Sequence, residues 1–392
     1  MITQSEAHEL MITQAQTLGS ERVELDQALN RILAEDVHSD MDMPPFRKAA
    51  MDGYACQRKD IANDLAVVEI LKAGAVPTKT IGTNECAKIM TGGMIPDGAD
   101  CVIIVEETEE LGESTVRFTM EETRDNLCAK GEDIQTGDVV LTAGTLLRSQ
   151  HMAMLASVGC VLPNVTRRPR VGIVATGDEL VEPDVKPDLS QIRTSNSHQI
   201  IAQVQAANAI PNYYGIARDT EESLDSTLKK AMSESDVVLL TGGVSMGDLD
   251  LVPGIMKANN VTILFEEIAV QPGKPTTFGV SDGCFCVGLP GSPVAAFTQF
   301  ELLVKPFLYR LMGHVYRPGR LRIPMAQTRS RARTVRENWF PFKLTEDGAV
   351  LPCEFHGSAH VESICEADGL GYMPIGVSSI DEGDLVTVRF LQ

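Results

Sequence analysis

Three glycine-rich turns, each preceded by a short apolar stretch, most constrain the fold of this 392-residue chain. They occur in VGIVATGDEL at 171–180, DVVLLTGGVSMGDLD at 236–250 and CFCVGLPGSPVAAF at 284–297. Such apolar runs are typical of parallel strands that are buried on both faces. We therefore expect three strands of one parallel sheet, with their turns at its carboxyl edge, where open α/β sheets bind ligands.

The surrounding segment, residues 168–313, alternates apolar runs with amphipathic helical patterns such as SHQIIAQVQAANA and TEESLDSTLKKAMSES. Alternation of strands and helices is typical of βαβ units with right-handed crossovers. Residues 168–313 are therefore predicted to form an αβα three-layer domain with a mostly parallel sheet.

The other segments carry different patterns, so an α/β multidomain chain is expected. Residues 41–135 contain short β-type runs between Gly and Pro turns, which predicts an inserted, mostly β domain. Residues 314–392 return to short β runs, which predicts a C-terminal β-barrel-like domain.

Residues 1–40 and 136–167 are expected to form an N-terminal helical piece. Thr3 and Glu6 match a capping box before a helix that reaches about Gln16. A second helix is predicted from apolar residues that recur with helical spacing, namely Leu25, Leu29, Ile32 and Leu33.

Charge and cysteine content exclude several classes of protein. The 34 basic and 54 acidic residues give a formal net charge of -20, which argues against nonspecific binding to nucleic acid or to an anionic membrane. The sequence MITQSEAHELMITQ lacks the basic start and apolar core of a signal peptide, and no apolar stretch approaches the roughly 20 residues of a membrane helix. The nine cysteines include no Cys-x-x-Cys pair. A cytoplasmic protein with reduced thiols is expected.

The three turns and a nearby QPGKP segment bring together groups that suit phosphate chemistry. Glu179, Asp248 and Asp250 lie in the turns, and Lys274 stands between Gly273 and Pro275. Carboxylates and a lysine beside backbone N–H groups suit a metal-assisted phosphate site. Each acid alone could equally be a helix N-cap or a solvated carboxylate, and none of the turns has the frame of a nucleotide-binding motif.

The third turn, LPGSP at 289–293, joins a strand to a helix. Gly291 lets a backbone N–H approach a ligand closely, and Pro293 suits the first turn of a helix. An ordinary strand-to-helix connection would also explain this segment.

The predicted inserted domain has acids whose local sequence explains them structurally. Asp52 precedes Gly53 in KAAMDGYA, a typical turn pair, while Thr91 lies in MTGGMIPDGADCVIIVEE and Asp133 in KGEDI. From spacing alone these residues would not be called catalytic.

Taken together, these segments resemble the molybdopterin molybdenumtransferase family, which includes the gephyrin E domain. The resemblance covers most of residues 20–310 in the family's order. It rests on ALNRILAEDV, PPFRKAAMDGYA, MTGGMIPDGADCVIIVEE, KGEDI, VATGDEL, TSN, ARDT, TGGVSMGDLD, QPGKP and LPGSPVAAF.

The resemblance implies an elongated four-part chain and a specific reaction. The reaction is insertion of molybdate into adenylylated molybdopterin, with Mg²⁺ dependence and release of AMP. Members act as homodimers, with the cleft between the αβα domain of one subunit and the β domain of the other. A molybdopterin adenylyltransferase is the implied substrate donor.

Site residues are carried over motif by motif, as implications of the resemblance. Among them, Glu179 and Asp250 are the implied ligands of Mg²⁺. The implied catalytic residues are Asp52, Asp133, Glu179, Asp250 and Lys274. The implied substrate-binding residues are Thr91, Asp219, Ser245, Gly273, Pro290, Gly291 and Pro293.

Four positions depart from the usual family pattern: Ala49, Thr194, Gln271 and Ser292. Two other functions therefore stay open beside the transferase. One is a pterin or dinucleotide pyrophosphatase on the same αβα domain, and the other is a non-catalytic scaffold. The full set of acids with Lys274 favours an enzyme over a scaffold, and the MDGYA and KGEDI segments favour the transferase over the pyrophosphatase.

Overall fold

The computed structural model describes residues 1–243, 251–354 and 357–391. Among these residues no helix is both long and apolar enough to cross a membrane. The α-helices are α1 (Gln4–Gln14), α2 (Ser149–Ser157), α3 (Asn196–Ala206), α4 (Glu221–Glu234), α5 (Val252–Ala258), α6 (Pro293–Gln299), α7 (Lys305–Leu311) and α8 (Glu362–Cys365). A π-helical segment, Phe300–Val304, joins α6 to α7.

The first 167 residues contain twelve short strands among their described elements. In chain order they are β1 (Ser20–Arg22), β2 (Val37–His38), β3 (Lys48–Ala49), β4 (Gly53–Cys56), β5 (Asp64–Leu71), β6 (Glu85–Ile89), β7 (Cys101–Ile104), β8 (Thr108–Glu110), β9 (Thr115–Phe118), β10 (Leu127–Cys128), β11 (Val139–Leu141) and β12 (Asn164–Thr166).

The predicted capping box is confirmed, but the second N-terminal helix is wrong. The Thr3 hydroxyl accepts a hydrogen bond from the Glu6 backbone N–H, and α1 begins at the next residue after Thr3. The predicted second helix is reduced to one 3₁₀ turn, Leu25–Gln27, while Ile32 and Leu33 form β-bridges to residues 146 and 165. Both side chains are buried, so tertiary contacts account for the apolar spacing that mimicked a helix.

The inserted segment folds around a six-stranded sheet with the order β7-β4-β6-β5-β9-β8. β4 and β6 are antiparallel, and Gly53 pairs with Ile89. The start of β4 therefore lies beside the end of β6, which places the residue before β4 next to the turn after β6.

Residues 170–289 contain the strands of the αβα domain. They are β13 (Arg170–Thr176), β14 (Leu180–Val181), β15 (Ile192–Arg193), β16 (Ile210–Ala217), β17 (Val237–Thr241), β18 (Thr262–Glu267), β19 (Val270–Gln271), β20 (Pro275–Ser281) and β21 (Cys284–Leu289). The main sheet has the order β16-β13-β17-β21-β20-β18. Its first four strands are parallel to one another, and β20 pairs antiparallel with both β21 and β18. The predicted parallel neighbours β13, β17 and β21 are confirmed.

Alternate residues of the central strands bury side chains in two cores, one on each face of the sheet. Val237 and Leu239 of β17 join a core built with α1, α3, α6 and α7. Val238 and Leu240 join a second core built with α4 and α5. Because both faces are covered, these strands carry unbroken apolar sequences. The helix α1 thus packs on the αβα layers through Ala7 and Met11.

The C-terminal residues form a second β unit. Its strands are β22 (Arg320–Pro324), β23 (Arg329–Ser330), β24 (Glu337–Leu344), β25 (Val350–Pro352), β26 (Gly369–Met373), β27 (Ser379–Ile380) and β28 (Leu385–Phe390). Its main sheet has the order β19-β24-β26-β28-β22. Since β19 lies just before the QPGKP turn, the C-terminal sheet is joined to the αβα domain at that turn.

Candidate functional site

The parallel strands of the αβα domain end around a pocket of about 90 Å³. Thr176 at the end of β13, Thr241 at the end of β17 and Gly291 after β21 line it. Residues 194–196 at the start of α3 close another side. The sequence-predicted residues Glu179, Gly291 and Pro293 are thus brought to one pocket at the carboxyl edge.

Two glycines allow the backbone to approach closely at this pocket. Gly242 has a φ of +97°, and a Cβ on it would collide with the carbonyl oxygen of Thr176. A Cβ on Gly291 would lie 3.6 Å from the Cα of Gly242. The turns after β17 and β21 therefore lie close together, and both glycines line the pocket.

A buried amide, Asn196, holds the turn after β21 in place. Its Nδ2 donates to Thr241 Oγ1 at 2.9 Å and to the carbonyl of Gly291 at 2.9 Å. The Thr241 hydroxyl in turn donates to the carbonyl of Pro290 at 3.3 Å. Sequence reasoning used the TSN segment only for the resemblance and missed this role, although an Asn at the start of an apolar-faced helix is a polar group that needs buried partners.

One carboxylate, that of Glu179, lies at the pocket, and that of Asp219 lies in a neighbouring loop. The exposed carboxylate of Glu179 packs against Gly177, where a Cβ would come within 2.8 Å of the Glu179 Cδ. Asp219 follows β16, and its Oδ2 accepts from the Asp178 N–H at 3.3 Å while its own N–H donates to Asp178 Oδ1 at 3.4 Å. These weak reciprocal bonds join the loops after β13 and β16.

The turn that carries Lys274 reaches the same edge because β20 runs antiparallel to β21, with Thr277 opposite Gly288. Gly273 has a φ of +108°, and its carbonyl accepts from the Thr276 hydroxyl at 2.9 Å. Gln299 of α6 donates to the carbonyl of Pro272 at 2.8 Å.

Backbone and side-chain bonds from distant parts of the chain hold the segment before this turn. Ala269 donates to the carbonyl of Ile2 at 2.7 Å and accepts from the N–H of Glu337 at 2.9 Å. The Asn338 amide donates to the carbonyl of Gln271 at 3.2 Å. The Lys274 ammonium itself forms an ion pair with Glu267, with Nζ and Oε1 2.8 Å apart.

In the inserted domain, Asp52 and Thr91 meet as the β4–β6 register requires. Asp52 Oδ1 accepts from the Thr91 hydroxyl at 2.7 Å and from the Thr91 N–H at 2.6 Å. These hydrogen bonds, the one from the Thr91 side chain first, lower the pKa of Asp52. The pair is exposed and carries a negative charge at neutral pH.

Asp133 lines a pocket of about 670 Å³ in the inserted domain. Lys48, Cys128 and Glu132 also line this pocket. A hydrogen bond to Glu132 raises the pKa of the Cys128 thiol. Among the described residues, no hydrogen bond or ion pair joins the Asp52–Thr91 pair or the Asp133 pocket to the edge of the αβα sheet.

Two of the expected site residues, Asp250 and Ser245, lie outside the described residues, as does Asp248. Among the residues that are described, no group of three or more His, Cys, Asp or Glu side chains could hold a metal ion.

The C-terminal domain also touches the site, which sequence reasoning did not anticipate. The N–H of Val294, the residue after Pro293, donates to the carbonyl of Ser358 at 3.0 Å. Ser358 belongs to the segment HGSAH, to which no site residue was assigned. No local sequence signal connects this segment to the αβα edge.

The carboxyl edge of the αβα sheet combines carboxylate oxygens, the Lys274 ammonium group and backbone N–H groups. Carboxylate oxygens suit a hydrated divalent cation, and glycine backbone and lysine suit an oxyanion. An anionic substrate that carries a phosphate fits this combination in a protein whose net charge is otherwise strongly negative.

Comparisons with known families cover nearly the whole chain. Residues 2–159 match the MoeA N-terminal region (domain I and II), residues 172–310 match a probable molybdopterin binding domain, and residues 318–391 match the MoeA C-terminal region (domain IV).

Individual relatives agree along the full length. A protein of Staphylococcus epidermidis named molybdopterin molybdenumtransferase is 34% identical, over 99% of this chain and 95% of the relative. One of the same name from Staphylococcus aureus is 34% identical over 98% of this chain and 94% of its own. Two structures of molybdopterin biosynthesis MoeA protein from Pyrococcus horikoshii cover 100% of this chain and 99% and 100% of theirs, with TM-scores of 0.84 and 0.87 at 32% and 29% identity.

Proposed function

The chain belongs to the molybdopterin molybdenumtransferase family and is a transferase of molybdenum cofactor biosynthesis; we propose that it inserts molybdate into adenylylated molybdopterin and releases AMP. The observation that carries the proposed reaction is the pocket at the ends of β13, β17 and β21. Its rim bears Glu179, and the Lys274 turn reaches the same edge. Glu179 and Gly291 thus lie at the same end of the sheet as the turn that carries Lys274.

The residues of this edge have separate roles in the proposed reaction. The Lys274 ammonium and the backbone of Gly291 would stabilise negative charge that develops as the phosphoanhydride of the substrate is hydrolysed. Asp219 would help to fix the substrate beside the loops after β13 and β16. Ser245, Gly273, Pro290 and Pro293 remain proposed substrate contacts from the resemblance.

Magnesium is part of this proposal. The exposed carboxylate of Glu179 receives no hydrogen bond from a described residue, so it is available as a hard oxygen ligand. Glu179, with Asp250 as the second proposed ligand, would hold Mg²⁺, which usually keeps several waters and binds through one or two carboxylates. The ion would neutralise charge on the phosphates of the substrate.

We further propose that the protein acts as a homodimer in which two subunits form each cleft. Asp52, Thr91 and Asp133 are on the inserted domain, far in sequence from the αβα edge. The hydrophobic core of the inserted domain shares no residue with that of the αβα domain. Met51 and Met90, which flank the Asp52–Thr91 pair, are 43% and 36% exposed. Exposed apolar side chains on both sides of a hydrogen-bonded acid fit a protein–protein interface. The Asp52–Thr91 pair would therefore complete the αβα site of the partner subunit.

A molybdopterin adenylyltransferase is the proposed source of the adenylylated substrate, and the cytoplasm is the proposed compartment. The compartment is proposed from the sequence, whose nine cysteines include no Cys-x-x-Cys pair.

One experiment tests the reaction and separates it from the pyrophosphatase alternative. Purified protein is incubated with adenylylated molybdopterin, Mg²⁺ and molybdate, and AMP and molybdenum cofactor are measured together. We expect both products in equal amounts. AMP without cofactor would replace the transferase by a pyrophosphatase, and neither product would leave a binding role. A control with EDTA should abolish AMP release.

A further inference from the structure

The ion pair between Glu267 and Lys274 joins a residue with no assigned role to the proposed catalytic lysine. Glu267 ends β18 and lies opposite Pro275 in the antiparallel pairing of β18 with β20. The next N–H along the chain, that of Ile268, donates to the carbonyl of Lys274 at 3.0 Å. The backbones of the two partners are therefore held together.

The backbone around Lys274 is fixed, so its side chain is the adjustable part. Hydrogen bonds from Gln299, Thr276 and Asn338 hold the carbonyls of the turn, as described above. The side chains of Lys274 and Glu267 are 36% and 23% exposed. Such a partly solvated pair is weak enough to exchange one partner for another.

The charges around Lys274 determine how easily an oxyanion can replace Glu267 as the partner of the ammonium group. The carboxylate of Glu267 neutralises the ammonium of Lys274, and Gln271, in the same turn, carries no charge. An oxyanion that approaches Lys274 meets an ammonium already paired with a carboxylate, within a chain of net charge -20. Binding of the oxyanion must displace this carboxylate or tolerate its repulsion.

We propose that Glu267 is a positioning residue that sets the oxyanion affinity of the site, because it holds the Lys274 ammonium in the free protein and competes with the substrate for it. The proposal rests on the proposed function, in which Lys274 contacts the substrate. The oxyanion is either the phosphate of the adenylylated substrate or molybdate, since both are tetrahedral and bear negative oxygens.

The chain provides a matched control on the same strand. Glu266, the preceding residue, forms an ion pair with Lys257 at 2.9 Å. Both acids lie on β18 and each pairs with a different lysine, Lys257 for Glu266 and Lys274 for Glu267. Glu266→Gln removes the same charge and the same type of pair without touching Lys274.

The test measures binding of AMP and of molybdate, separately, to the wild type and to Glu267→Gln and Glu266→Gln. We expect Glu267→Gln to lower the Kd for at least one of the two anions about two- to fivefold, which is the range set by the energy of an exposed ion pair. Glu266→Gln should leave both Kd values unchanged. The anion that gains affinity is the one that contacts Lys274. The gain should shrink at high salt, because solvent-exposed charges are screened.

A double-variant cycle shows whether Glu267 acts through Lys274. In a Lys274→Met background, Glu267→Gln should give a smaller gain, because only the direct repulsion between Glu267 and the anion is then removed. In turnover, Glu267→Gln should lower KM for the same substrate with kcat unchanged. The proposal is overturned if neither anion binds more tightly, if Glu266→Gln gives an equal gain, or if the gain is undiminished without Lys274.

The two proposals can fail separately. If the wild type makes cofactor but Glu267→Gln shows no gain, only the inference about Glu267 falls. If the anion-binding gain through Lys274 is present but the wild type makes no cofactor, only the proposed reaction falls.

Discussion

Replacement of Asn196 by alanine should damage both the stability of the αβα domain and turnover. The side chain is 7% exposed and donates to Thr241 Oγ1 and to the Gly291 carbonyl, both at 2.9 Å. Gly291 is exposed, so water can reach its freed carbonyl, and Thr241 keeps its bond to Pro290. The loss is therefore two hydrogen bonds at about 1 kcal/mol each, or about 2 kcal/mol in total.

The loss of stability can be measured by thermal unfolding and by hydrogen exchange. For a domain of about 150 residues it corresponds to a fall in Tm of roughly 4–8 °C. Hydrogen exchange followed by mass spectrometry should show faster exchange in the peptides that contain β17 and β21. Because the turn carries the proposed Gly291 contact, kcat/KM should fall about 10- to 100-fold.

Gln199→Ala is the matched control. Gln199, one turn further along α3, donates a single bond to the carbonyl of Pro293 at 3.3 Å and is half-buried, so its loss should cost no more than about 1 kcal/mol. If Asn196→Ala and Gln199→Ala have the same Tm and the same kcat/KM, the Asn196 bonds do not hold the turn and the reasoning is wrong.

Three further outcomes are expected. Mixing inactive Asp52→Ala with inactive Glu179→Ala under subunit exchange should restore about a quarter of wild-type activity, because half the dimers are then mixed and each has one intact cleft; no recovery despite exchange would place both residues in one chain's site. Thr91→Val should raise the pKa of Asp52 towards its ordinary value, since the hydroxyl that stabilises the carboxylate is lost, and a carboxyl NMR titration that is unchanged would contradict this. Gly242→Ala should lose at least about 1–2 kcal/mol of stability from its positive φ alone, with further loss from contact with Thr176, and a thermal unfolding curve equal to that of the wild type would refute it.

The sequence predicted the centre of the αβα domain well, because burial on both faces leaves a direct mark. Val237 to Leu240 are all apolar since alternate residues enter two cores, and this pattern is typical of strands covered on both sides. The strand ends then follow from topology, so the meeting of Glu179, Gly291 and Pro293 could be anticipated.

Other features could not be read locally. The spacing of Ile32 and Leu33 predicted a helix, but these residues are buried through bridges to residues more than a hundred positions away. Asn196, Glu267 and Ser358 act through partners that are distant in sequence or through geometry at strand ends. Their residue types are common at helix starts, strand ends and loops, so composition gives no reason to select them.

The anchoring of the Lys274 turn has a consequence for the order in which the protein is built. The segment from Glu267 to Gln271 pairs with Ile2 on one side and with Glu337 and Asn338 on the other. A nascent chain that has left the ribosome only as far as residue 313 already contains every strand of the αβα sheet, but it lacks β24. The sheet can therefore form during synthesis, with Gln299 and Thr276 already bonded to the lysine turn, while Ala269 and Gln271 gain their C-terminal partners only later. Substrate capture that depends on the fully anchored turn would then begin only after the C-terminal sheet has docked, which delays activity until most of the polypeptide is folded.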